Sequence, residues 1–205
     1  MNRIFGGNTD GKSGLGFRVM SLMLAIRDKF TSPWSLLDEF GIERGQTVVD
    51  YGCGPGSYLR RASELVGPGG RVFAVDSQDL AVKAARRRIE KERLNNVTAV
   101  QAAGQRVSLP SETADVVYAL DMFHMVSDPG AFLRELNRIC KRTGSLFIDN
   151  GHQSRGEARL KLKSSGAWEI CEEKERYLKC SPVKGNGESS GEPPGISLAP
   201  RSSAA

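Results

Sequence analysis

The glycines Gly52, Gly54 and Gly56 follow a β-branched pair and an acid in the stretch Val48-Val49-Asp50-Tyr51-Gly52-Cys53-Gly54-Pro55-Gly56-Ser57-Tyr58. Residues of these types in this order describe a buried strand ending in a carboxylate, a tight turn and the start of a helix. Glycines at alternate positions let the backbone bend sharply and approach a ligand with no Cβ in the way. A helix beginning near Ser57 points unpaired N–H groups and its positive dipole end back at the bend. The chemistry that follows is recognition of a small polar ligand carrying a carboxylate or phosphate. A plain strand-to-helix connection is the alternative, since a glycine motif alone is weak evidence. A second strand, Arg71-Val72-Phe73-Ala74-Val75-Asp76, also ends in an acid. An acid there is placed to accept hydrogen bonds from ribose hydroxyls. The G-x-G-x-G spacing is tighter than the G-x-G-x-x-G of dinucleotide folds, which weighs against a nicotinamide dehydrogenase.

The elements that must hold these residues follow from periodicity and breakers. Ser32-Pro33 starts a short helix that Gly41 stops, with Trp34, Leu37 and Phe40 on its buried face. An earlier apolar stripe, Phe17, Met20 and Leu24, predicts a helix over residues 17–30. After the glycine turn a helix runs to about Val66 and is stopped by Gly67-Pro68-Gly69-Gly70. Further helices are predicted over residues 80–94, 129–141 and 155–165. Strands are predicted over residues 97–101, 114–119 and 145–148, with Gly144 separating the last from the helix before it. The β-α alternation implies a parallel sheet with helices on both faces. Residues 168–173 and 176–180 alternate around a polar turn and predict a terminal antiparallel hairpin, across which Cys171 and Cys180 would face each other.

Val48 to Tyr58 followed by Val75-Asp76 resembles the cofactor site of class I S-adenosylmethionine-dependent methyltransferases. Further similarity lies in Ser108-Leu109-Pro110, in Ala114-Asp115-Val116-Val117, and in Asp121 to Pro129 leading into Phe132-Leu133-Arg134-Glu135-Leu136. These resemble the small-molecule, quinone-ring branch of that family, over roughly residues 41–149. The resemblance implies an α/β, Rossmann-like three-layer sandwich whose seven-stranded sheet is mostly parallel, with an antiparallel terminal strand. It implies S-adenosylmethionine as cofactor and a small-molecule methyl acceptor, and it favours a lid for the helix over residues 17–30, the alternative being plain packing on the sheet. The organisation expected is a flexible N-terminus (1–14), a methyltransferase domain (15–181; N-terminal helices 15–42, core 43–181) and a disordered tail (182–205) rich in Gly, Ser, Pro and Glu.

Carried onto this sequence, Gly52, Gly54 and Gly56 form the turn around the methionine part of the cofactor. Asp50 braces that turn and helps hold the amino group, and Asp76 takes the ribose hydroxyls. Many relatives place an acid after strand three to hold the adenine amino group. This chain has Ala102-Ala103-Gly104-Gln105-Arg106, so Gln105 would substitute or would simply be an exposed loop residue. The only two histidines, His124 and His152, fall after strands four and five. His124 is the candidate to remove a proton from the acceptor, the alternative being packing under the next helix. Adding Asp121 would make a metal site, but the short ligand spacing such sites use is missing, and no metal is assigned.

Composition bounds the rest. The chain's 205 residues, 39% hydrophobic and 26% charged, allow one α/β domain with a sizeable core. The apolar run Leu22-Met23-Leu24-Ala25-Ile26 is too short to span a bilayer. Four irregularly spaced cysteines fit a reducing cytoplasm. The net charge of +5 is concentrated around Lys83, Arg86, Arg87, Arg88, Lys91 and Arg93, which reads as a solvated helix face rather than a nucleic-acid patch. An Asn/Asp-Pro-Pro-aromatic motif after strand four, used by base and glutamine methyltransferases, is missing. RNA or protein methylation, and a non-catalytic cofactor-binding subunit, are the alternatives to a small-molecule acceptor.

Overall fold

The computed structural model describes residues 33–104 and 106–184. The helix and flexible segment expected within residues 1–32, the loop residue Gln105 and the tail beyond 184 lie outside the described residues. Val48, Val49 and Tyr51 are buried in β1 (Thr47–Tyr51), which runs parallel between two neighbours. Those neighbours are β2 (Arg71–Asp76) and β4 (Ala114–Ala119), both of them also almost wholly buried. β3 (Val97–Gln101) extends the parallel array beyond β2, and β5 (Cys140–Ile148) extends it beyond β4. β7 (Leu178–Pro182) inserts between β5 and β6 (Trp168–Glu173) and is antiparallel to both. The sheet order is β3-β2-β1-β4-β5-β7-β6.

Helices cover both faces, which is why the central strands are apolar throughout rather than alternating. On one face lie a 3₁₀ helix (Pro33–Phe40), α1 (Leu59–Val66) and α2 (Asp79–Glu92). They enclose Leu37, Phe40, Val48, Ala62, Tyr118 and Phe147, with the Phe40 ring stacked on Phe147 at 4.1 Å. On the other face α3 (Pro129–Ile139) and α4 (Arg155–Ser165) pack on Tyr51, Val117 and Ile148. The Trp168 indole N–H there donates to the Leu133 carbonyl at 2.8 Å. The three-layer α/β fold expected from the sequence, mostly parallel with an antiparallel terminal strand, is the fold observed.

Several boundaries differ, each for a local reason. Gly144 does not separate α3 from β5 but lies within β5: a Cβ there would sit 2.8 Å from the Asp115 carbonyl and 2.7 Å from Cys140 Sγ. Close backbone approach, not chain-breaking, requires glycine at that position. β7 begins at Leu178 because the Lys174 N–H closes the preceding turn on the Tyr177 carbonyl. The tail boundary drawn at 182 falls too early. Pro182 is paired in β7, the Val183 N–H donates to the Ala167 carbonyl, and Lys184 Nζ donates to the carbonyls of Asn137 and Cys140. Cys180 lies opposite Ile170 instead of Cys171, whose thiol contacts the Ser181 hydroxyl; both remain free thiols. On the basic face of α2, Lys83 pairs with Asp79 and Arg88 with Glu92, in keeping with a solvated helix surface.

Candidate functional site

The glycine turn is built by the strand next to it. The N–H groups of Gly52 and Cys53 both donate to the Val75 carbonyl, at 2.8 and 3.0 Å. Asp76, at the end of β2, finishes the clamp: Oδ2 accepts from the Gly54 N–H at 3.0 Å and Oδ1 from the Gln78 N–H at 2.9 Å. One carboxylate therefore fixes both the turn after β1 and the entry to α2. The Ser77 N–H also hydrogen-bonds this carboxylate, which still leaves acceptor capacity for one more donor. Burial raises the Asp76 carboxyl above its usual range, against the lowering effect of those backbone N–H groups.

All three glycines have positive φ, +84° at Gly52, +52° at Gly54 and +86° at Gly56. Their surroundings differ. A Cβ on Gly52 would meet Met122 Cγ at 2.7 Å, and one on Gly56 would meet Leu59 Cδ1 at 2.7 Å. A Cβ on Gly54 would meet nothing within 4 Å. The turn is sealed at its flanks and open at its crest. Cys53 is buried beside it, and burial pushes its thiol well up, so it serves as a small packing group and not as a nucleophile.

Beneath the turn, Asp50 is 2% exposed and directly opposite Tyr118 in the β1–β4 register. Its Oδ2, the Tyr118 hydroxyl and the Ser57 hydroxyl are buried without well-formed hydrogen bonds. Burial pushes the Asp50 carboxyl up to about 8; the nearby Tyr118 hydroxyl opposes this and the Asp76 charge adds to it. Buried polar groups are normally satisfied. A cluster of unmet acceptors next to an open glycine crest therefore suits a ligand that brings its own donors, such as an ammonium group.

The ends of β4 and β5 supply a second group. Asp121 follows β4 with φ +59°, and its N–H donates to Asp149 Oδ2 at 2.9 Å. Tyr58, just before α1, donates from its hydroxyl to Asp121 Oδ2 at 3.4 Å. Burial, with the neighbouring Asp121 charge, raises the Asp149 carboxyl to about 7. His124 lies in a 3₁₀ turn (Phe123–Met125), and its ring meets that of His152 edge to face with centroids 4.8 Å apart. Among the described residues, no three His, Cys, Asp or Glu side chains converge as metal ligands.

The structure thus brings Asp50, Asp76 and the three glycines together, and it joins His124 to His152. Sequence reasoning gave no individual role to Tyr118, Met122, Asp149 or Gly151. The last three lie just beyond the ends of β4 and β5, where open α/β sheets bind their ligands, but Tyr118 became visible only through strand register. A separate 540 Å³ cleft, lined by Trp34, Ser57, Arg60, Arg61 and Arg88, touches the turn only through Ser57. Its arginines are engaged with Asp38, Glu64 and Glu92, so it does not carry the chemistry.

A family model described as methyltransferase domain matches residues 49–148. The ubiquinone/menaquinone biosynthesis C-methyltransferase UbiE of Shewanella sp. (strain W3-18-1) is 32% identical over 109 residues, covering 53% of this chain and 43% of that protein. An uncharacterized 37.1 kDa protein in a transposon of Streptomyces fradiae is 34% identical over 116 residues, 55% of this chain and 32% of that one. The matched segment spans less than half the length of these curated relatives. Among solved structures, a SAM-dependent methyltransferase from Aquifex aeolicus is 30% identical with a TM-score of 0.71, covering 77% of this chain and 93% of the other.

Proposed function

This chain belongs to the S-adenosylmethionine-dependent methyltransferases, and on that premise we propose that it transfers a methyl group from this cofactor to a small-molecule acceptor. The observation that carries the reading is the open crest at Gly54 above the unmet carboxylate oxygen of Asp50. In this reading the backbone around Gly52 and Gly54 cradles the methionine part, with Gly56 giving the turn its exit into α1. Asp50 and the Tyr118 hydroxyl receive the ammonium group. Asp76 offers its remaining acceptor capacity to a ribose hydroxyl while still holding the Gly54 N–H. Gln105 is assigned to the adenine edge on the resemblance alone. When bound, the sulfonium supplies an activated methyl group, so the protein's work is to align the acceptor and exclude water.

The names of the quinone C-methyltransferase relatives support a small, partly apolar acceptor. Met125, 48% exposed in the loop after β4, gives that end of the sheet apolar surface for such a molecule. A cytoplasmic location is part of the reading, supported by four cysteines that are all free thiols. Among the described residues no helix is long and apolar enough to cross a membrane.

Calorimetric titration with S-adenosylmethionine and S-adenosylhomocysteine, with NAD as control, tests the reading. Binding of the first two and not of NAD is expected; NAD binding alone, or no binding by folded protein, would overturn it. Asp76→Ala is expected to weaken S-adenosylhomocysteine binding by about 1–3 kcal/mol, because it removes a hydrogen-bonding partner of the ligand and frees the Gly54 N–H. Unchanged affinity would take Asp76 out of the cofactor site.

A further inference from the structure

We propose that the imidazoles of His124 and His152, brought edge to face at the ends of β4 and β5, accept the proton that an acceptor of the phenol or enol class gives up on methylation. The inference rests on the methyltransferase reading and names the acceptor class for it.

The pair is held in place by backbone. Gly151 has φ +55°, and a Cβ there would lie 2.1 Å from His124 Nδ1, so the ring rests directly on that residue's main chain. Nδ1 is buried with no hydrogen-bonding partner. The loop that carries His124 also closes the cofactor turn, through Met122 on Gly52 and through Asp121, which accepts from Tyr58. The histidines are therefore built into the same wall as the glycine turn, at the end of the sheet where ligands of such folds bind.

The charged groups around the pair set what it can do. His124 faces His152, Asp121 and Lys161, with Asp149 at the end of β5 hydrogen-bonded to the Asp121 N–H. Burial lowers its affinity for a proton, His152 and Lys161 lower it further, and Asp121 opposes them. An imidazole so placed is neutral at pH 7 and free to act as a base. Lys161 Nζ lies 5.4 Å from the Phe123 ring centroid and favours a developing oxyanion over an approaching ammonium. Met125, next to His124, is 48% exposed and offers apolar surface there. A flat hydroxylated ring or an enol fits this combination better than an amine, which arrives already protonated.

The step balances. The acceptor's O–H bond breaks and its proton passes to an imidazole nitrogen. The oxygen electron pair forms the new bond to the methyl carbon as the carbon–sulfur bond breaks, and sulfur keeps that pair. If a ring carbon conjugated to the hydroxyl attacks instead, that carbon sheds its hydrogen as the proton. One proton is released on either route.

The test uses the full chain saturated with S-adenosylhomocysteine, and 4-nitrophenol as the probe, buffered below the pH at which the free phenol ionises. Addition of protein is expected to raise the phenolate absorbance, while NMR of isotope-labelled histidine shows ring nitrogens moving towards imidazolium. Both responses should vanish in His124→Gln/His152→Gln protein that still binds S-adenosylhomocysteine. Absence of ionisation in wild-type protein that binds the nucleoside, or an unchanged response in the double variant, would overturn the proposal. Failure of wild-type protein to bind the nucleoside would overturn the methyltransferase reading itself, on which the proposal depends.

Discussion

Asp50→Asn is expected to raise the melting temperature, most of all at pH 8, and at the same time to weaken S-adenosylmethionine binding. The carboxyl titrates near 3.8 in an open chain and is pushed up to about 8 in the fold by burial. Between those values the unfolded chain has lost the proton and the native protein keeps it. The folded state is therefore unpenalised below about pH 4, loses stability steadily as pH rises towards 8, and levels off above that. At 1.36 kcal/mol per unit, the penalty at pH 8 is on the order of 5 kcal/mol, an upper figure because a buried site relaxes around its charge. Asparagine has nearly the same shape and no proton to lose, so its advantage should be small at pH 5 and several kcal/mol at pH 8. For a domain of this size that corresponds to a rise of roughly 5–15 °C. The cost falls on the ligand: without a carboxylate the cofactor's ammonium loses a charge-assisted hydrogen bond, about 1.5–3 kcal/mol. Melting curves at the two pH values, with calorimetry on both proteins, check each half. A stability gain that does not grow with pH would mean that Asp50 is not the buried, protonated acid.

Glu135→Ala is expected to destabilise the fold by about 3–5 kcal/mol, measured by urea unfolding. Glu135 lies on α3 and is 6% exposed. It accepts from Arg138 through both oxygens, at 2.6 and 2.9 Å, and from the Val107 N–H at 2.9 Å. Arg138 in turn donates to the carbonyls of Leu109 and Val107. The pair thus ties α3 to the segment between β3 and β4. Removing the carboxylate leaves a buried guanidinium and a backbone N–H without their acceptor, which is why truncation costs more than the pair contributes. Glu135→Gln keeps an acceptor and should lose less. Glu135→Ala combined with Arg138→Leu should recover part of the loss, since no unpaired charge remains. Equal loss in the single and double variants would show that packing, not the ion pair, holds this segment.

Both predictions turn on residues whose importance the sequence displayed unevenly. Asp50 announced itself by standing between two valines and a glycine turn. Glu135 stood within a stretch of family resemblance, but Val107, which donates to it, and Leu109, which accepts from its partner Arg138, are separated from the pair along the chain by β4. His124 and His152 were each placed at a strand end by the alternation of elements, yet nothing in their spacing required their rings to touch. Gly151 passed unnoticed because its role, to let His124 lie against the main chain, exists only once β4 and β5 are side by side.

The sequence by itself determined the order of strands and helices, the glycine turn and the acids that end β1 and β2. These are local properties: burial patterns repeat over a few residues, and positive φ selects glycine one position at a time. The tertiary structure alone decided that Tyr118 faces Asp50, that Met122 covers Gly52, that β7 enters between β5 and β6, and that two histidines meet. Each of those depends on strand register and crossover, and a shift of one residue in pairing would turn every side chain of a strand to the opposite face.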